Sequence, residues 1–223
     1  MRTVAVIALK GGSGKTTVAT HLALAAHLRG VATLLVDLDP QRSALNIMSA
    51  RAEPGPTCVA ATGEKLMSVQ FAAIGLKRPL MIVDTPAGAV EDVGEAIVLA
   101  DLAVMVARPT LIDLSGLAPT LSMVRKLGKP GIVVVNQAPA SRDGTEPPLV
   151  RRALKGLDYM KAEVVPTILR SRTVYQTALE TGRSAEELTD VAAAREIAAL
   201  WAYVDAVLTE DSEAAAARSS SGS

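Results

Sequence analysis

The chain has 223 residues, 49% of them apolar and 21% charged, with 23 basic residues balancing 23 acidic ones. That is the make-up of one sizeable globular domain, which buries enough surface to need no staples, and it excludes a molecule wrapped in basic charge, though not one with a local basic face. The single cysteine, Cys58, excludes an intramolecular disulfide or a thiolate cluster within one chain, and aromatics at 2% leave no platform for stacking bases.

Short apolar runs alternate with longer helical segments. The first run, residues 3–9, leads through a glycine loop into a helical stretch at 16–29 closed by Gly30. A run at 32–36 precedes helical 42–50 and 64–74, and a run at 80–83 precedes helical 91–100. Next come the run 102–107, helical 114–127 closed by Gly128, and the run 132–135, with Pro119 marking a delayed start or a kink. A loose loop at 138–147 leads to helical 148–155 closed by Gly156, a run at 162–165, and helical 174–180 and 185–208. Continuous apolar runs fit strands buried on both faces, so the pattern predicts a doubly wound, mostly parallel sheet with helices on both sides, a three-layer α/β/α fold. One domain is expected over residues 1–209, followed by a disordered tail at 210–223 that decays through alanines into serines.

No stretch has the run of about eighteen apolar residues a membrane span needs, and the start shows no cleavage region of a secretory signal. A cytoplasmic location is expected. The last helix carries Asp190, Arg195, Glu196 and Asp205 on its polar face, which argues against a basic lipid-binding surface. His21 and His27 stand six apart, a poor spacing for two ligands on one helix face.

Lys10-Gly11-Gly12-Ser13-Gly14-Lys15-Thr16-Thr17 follows the first predicted strand and opens the first helix. Glycines at 11, 12 and 14 let successive N–H groups converge on one concavity, and the helix start adds its positive end. Such a loop cradles phosphates: Lys15 supplies the charge for the β- and γ-phosphates, the Thr16 hydroxyl can ligate magnesium, and Thr17 lies nearest the α-phosphate. The ordinary loop has glycine where Leu9 stands; here a second lysine, Lys10, opens the loop and can point outward, toward a nucleotide held by a second subunit. Two acidic stretches end predicted strands, Asp37-Leu38-Asp39-Pro40-Gln41 and Asp84-Thr85-Pro86. Ligands bind at that edge of open α/β sheets. Asp84 fits a magnesium ligand acting through water, Asp37 a support for the magnesium waters, and Asp39 a group that orients or deprotonates the attacking water.

These motifs resemble those of the ParA/MinD branch of P-loop ATPases. The KGGxGK[ST] loop and the DxDPQ run carry most of the likeness, which extends over residues 3–208 in the order of elements, and the chain is most similar to small ParA proteins of the ParF kind. The resemblance implies an ATP- and magnesium-dependent ATPase that forms a homodimer around two ATP molecules, with Lys10 reaching across to the partner's phosphates. It implies Asn136 and the backbone at Pro166 near the adenine. It also implies nonspecific double-stranded DNA binding in the ATP state, nucleoid association, and a ParB-like or cargo adaptor protein that stimulates hydrolysis. Two basic sets are candidates for DNA: Arg151, Arg152 and Lys155, and the preferred Arg170, Arg172 and Arg183 after the Pro166 segment. Departures from the branch include Ala8 for asparagine, Ala87 for a second proline, and Arg42 where many relatives have glycine. Two other readings stay open, a metabolic P-loop enzyme that activates a carboxylate with ATP and a membrane-cycling ATPase of the MinD kind.

Overall fold

The computed structural model describes the backbone of residues 1–220 and the side chains of residues 1–210. In chain order the elements are β1 (Arg2–Ile7), α1 (Lys15–Leu28), β2 (Thr33–Asp37), α2 (Ser43–Ser49), β3 (Thr57–Ala60), α3 (Gly63–Gly75), β4 (Leu80–Asp84) and α4 (Val90–Leu99). They continue with β5 (Leu102–Ala107), α5 (Leu111–Lys126), β6 (Gly131–Val135), α6 (Pro148–Tyr159), β7 (Glu163–Val164), α7 (Val174–Glu180), a 3-10 turn (Ala185–Glu187) and α8 (Val191–Ser220). The seven strands form one sheet in the order β3-β2-β4-β1-β5-β6-β7, and every pairing is parallel.

Alternate residues of each strand feed two separate cores, as the two-residue strand period requires. Val4 and Val6 of β1 face the core under α1 and α8, where Leu22, Leu200, Trp201 and Val204 are buried. Ala5 and Ile7 face the other core, with Val93 and Ile97 of α4, Leu117 and Leu121 of α5, and Val150 and Leu157 of α6. Both faces are covered, which is why the strands read as unbroken apolar runs.

Several boundaries differ from the sequence expectation. β3 has no counterpart in it. The helix read at 114–127 begins earlier and passes through Pro119, and α6 runs through Gly156 to Tyr159. The helix read at 185–208 is split: Ser184 and Glu187 form a capping box around the 3-10 turn, and Asp190 then accepts the N–H groups of Ala192 and Ala193 to open α8. That helix continues through 210–220, where a disordered tail was expected; the alanine run there is a strong helix former. Residues 221–223 of that expected tail lie outside the described residues.

Candidate nucleotide-binding site

β1, β2 and β4 lie side by side, so their carboxyl ends deliver the glycine loop and both acidic stretches to one edge. Register puts Asp37 directly beside Asp84 across the β2–β4 pair, and Val6 beside Asp84 across β1–β4. The loop from Lys10 to Gly14 bends with Gly12 at φ +76° and Gly14 at φ +91°. At Gly14 a Cβ would stand 2.2 Å from the Asn136 side-chain nitrogen, so glycine there is required by space as well as by conformation. α1 then starts at Lys15, its first turn closed by the Val18 N–H donating to Gly14 O at 3.0 Å.

Lys15 and Ser13 are buried at the floor of the loop. Burial pulls the Lys15 ammonium below its ordinary value, while Asp84 and Asp39 pull it back up. Asp84 is fully buried, and among the described residues neither of its carboxylate oxygens has a well-formed hydrogen bond, the Thr16 hydroxyl being the one donor that acts on it. Burial pushes it up to about 7; the Thr16 hydroxyl and Lys15 act against that rise, and Asp37 and Asp39 add to it. A buried carboxylate so poorly supplied with donors is costly unless a cation or its water shell completes it. Asp37 is differently placed. One oxygen accepts the Asp39 N–H at 3.0 Å and the other the Leu45 N–H at 3.0 Å, so it ties the acidic loop to the start of α2. Burial nevertheless raises its pKa. Asp39 is half-buried and accepts the Gln41 N–H at 2.9 Å.

Gly11, Gly12, Ser13, Gly14, Lys15, Thr16, Thr17, Asp37, Asp39 and Asp84 lie on the loop, helix start and strand ends that meet at one edge of the sheet. Three sets of the expected residues make contacts within their own chain. The Lys10 ammonium does not point outward; it lies 3.0 Å from Asp113 Oδ1 of its own chain, because that carboxylate is nearly fully buried and needs a counter-charge. Asn136 braces the loop, its side-chain amide donating to Ser13 O at 2.8 Å. Arg170, Arg172 and Arg183 are each spent on an acid: Arg170 on Glu146, Arg172 on Glu196, and Arg183 on Glu53. In contrast, Arg151, Arg152 and Lys155 are exposed on α6 and make no ion pair among the described residues. Pro166 is exposed on the loop between β7 and α7.

The sequence reading missed Asp113 and Arg108. Their signal was present in Thr110-Leu111-Ile112-Asp113, a helix-start pattern in which the Thr110 hydroxyl oxygen accepts the Asp113 N–H at 3.1 Å. Gln137 was also missed; its side chain donates to Gly12 O at 3.3 Å from a backbone at φ +53°.

Known proteins share this fold. Apo McdA of Cyanothece superposes with a TM-score of 0.75 at 17% identity, covering 95% of this chain and 99% of that one. The septum site-determining protein MinD of Pyrococcus horikoshii, solved with Mg-ADP, gives a TM-score of 0.73 at 19% identity over 94% of this chain and 98% of that one. A protein named replication protein A from Rhizobium rhizogenes is 43% identical over 53 residues, 24% of this chain and only 13% of that protein's length. The model of the CobQ/CobB/MinD/ParA nucleotide-binding domain matches residues 4–199. With its glycine loop and strand-end acids at the edge where such a domain holds its ligand, this chain belongs to the CobQ/CobB/MinD/ParA family of nucleotide-binding domains.

Proposed function

We propose that the protein is a magnesium-dependent ATPase of the partition and positioning kind, dimerising around ATP and binding DNA without sequence preference in that state. The observation that carries this is the meeting of the glycine cradle, buried Lys15 and buried Asp84 at one sheet edge. These residues fit Mg-ATP. Lys15 and the loop N–H groups would hold the phosphates, the Thr16 hydroxyl and Asp84 would hold the metal and its waters, and Asp37 would keep the acidic loop in place. When bound, the metal neutralises charge on the transferring phosphoryl group. Asp39 would orient the attacking water and take its proton. Lys10 of one protomer would add positive charge to the partner's γ-phosphate, where charge must be stabilised during transfer.

Leu111 and Ile112 support a face-to-face dimer: they are 83% and 71% exposed in the first turn of α5, beside the Lys10–Asp113 pair. For DNA, the pairing of Arg170, Arg172 and Arg183 with acids favours the unpaired cations of α6, Arg151, Arg152 and Lys155, as the phosphate-contacting set. The same reading places the protein on the nucleoid with an adaptor that stimulates hydrolysis. No helix among the described residues is long and apolar enough to cross a membrane.

The test is retention on nonspecific double-stranded DNA with ATP, ADP or no nucleotide, alongside phosphate release. Retention that requires ATP and disappears in Lys15→Ala is expected. Phosphate release that depends on a small carboxylic acid, with no retention, would instead place the chain with the carboxylate-activating members of its family, and ATP-dependent vesicle binding would place it with membrane-cycling ones.

A further inference from the structure

We propose that Asp113 is a positioning residue that latches Lys10 to its own chain until a second protomer takes it, an inference that rests on the dimer reading above. Asp113 Oδ1 lies 3.0 Å from the Lys10 ammonium. The same carboxylate receives the Arg108 guanidinium on both oxygens, at 3.2 Å each, and the Thr110 hydroxyl donates to it. Burial works against its ionisation, but Thr110, Lys10 and Arg108 together hold the Asp113 carboxyl below the usual carboxylate range.

The asymmetry of the cluster makes it a latch. Removing one partner of a buried pair is severe when the other is left alone. Asp113 would not be left alone, since Arg108 and Thr110 still satisfy it after Lys10 departs. The Lys10 side chain is one-third exposed, so its release into water exacts little and its hold is modest. The lysine stem lies along Gly116 of α5, whose absent Cβ would be 3.7 Å from the Lys10 Cβ and Cδ. Beneath it is a small cavity of about 10 Å³, lined by Lys10, Ser13, Asp113, Gly116 and Thr120. Ser13 Oγ and Thr120 Oγ1 are buried there without partners among the described residues.

Two measurements separate the latch from the dimer. In nucleotide-free protein, acetic anhydride labelling read by mass spectrometry should modify Lys10 several-fold more slowly than exposed Lys126, and Asp113→Asn should remove most of that difference. Equal labelling of the two lysines in the unaltered protein, or no change in Asp113→Asn, overturns the latch. With a non-hydrolysable ATP analogue, Asp113→Asn should dimerise at a protein concentration lower by up to about tenfold, the ceiling for a pair this exposed. That shift should vanish when Lys10→Ala is added. A shift that survives Lys10→Ala means Asp113 acts on the fold and overturns the proposal. Protected Lys10 in a protein that stays monomeric with the analogue would show the contact to be real but the dimer reading, and the latch's purpose with it, to be wrong.

Discussion

Arg42 holds a backbone at φ +52°, ψ +38°, the left-handed region, immediately before α2. A side chain there carries about 1–2 kcal/mol of strain, so this is where the resemblance to small ParA proteins would put glycine, and the sequence departs from that pattern. Glycine would relieve the strain but loosen the unfolded chain by about 0.5–1 kcal/mol. Arg42→Gly should therefore leave stability unchanged or raise it by at most about 1 kcal/mol in urea denaturation. His21 makes a different prediction. Its ring is fully buried, donates from Nδ1 to Thr17 O across 2.9 Å, and meets the Tyr175 ring edge-on at 5.4 Å. Burial lowers its pKa from 6.5 to about 4. Because the folded value lies below the unfolded one, its contribution is complete above 6.5 and is lost as pH falls toward 4. The shift corresponds to roughly 3 kcal/mol, and His21→Gln should flatten the stability profile across that window relative to the unaltered protein. The spacing of the two histidines had already spoken against a metal; only the structure shows that this one is packed against Tyr175.

Among the elements, α2 and the 3-10 turn are stapled together by Arg51. Its guanidinium is nearly fully buried, donates to Gly182 O and to both oxygens of Glu187 at 2.9 Å each, and its backbone packs so closely that a Cβ on Gly182 would lie 2.7 Å from the Arg51 nitrogen. Arg51→Ala should destabilise the protein by about 2–3 kcal/mol, less than a fully dry pair because Glu187 keeps some solvent, and amide exchange should rise in both segments rather than in α2 alone. This staple joins residues 131 to 136 positions apart, so no local pattern announced it. Helices and buried strands were legible because their periods are local. β3 escaped because four residues following Pro54 and Pro56 at the sheet edge give too short a pattern to read. The division at Ser184 and Asp190 was written in capping residues, but the apolar spacing beyond them was continuous enough to mask it.

For the molecule as a whole, the loop and the strand-end acids were legible because their chemistry demands particular residues at particular spacings. The distribution of charge was not, since neutral overall composition is silent on which arginines find acids. That difference is testable through salt. Replacing Arg151, Arg152 and Lys155 by glutamine should reduce the slope of log affinity for DNA against log salt by up to about 3 per protomer that contacts the duplex. Replacing Arg170, Arg172 and Arg183 should leave the slope nearly unchanged and lower thermal stability instead. A reversed outcome would restore the second set as the DNA surface. The adjacency of Asp37 and Asp84 reaches further than the chemistry of one site. Two like charges sharing a dry corner oppose the folded state, so a divalent cation that settles there acts as a thermodynamic ballast. Melting temperature should climb with its concentration even before any triphosphate is added, and the gain should disappear in Asp84→Asn, which would already melt higher than its parent at alkaline pH.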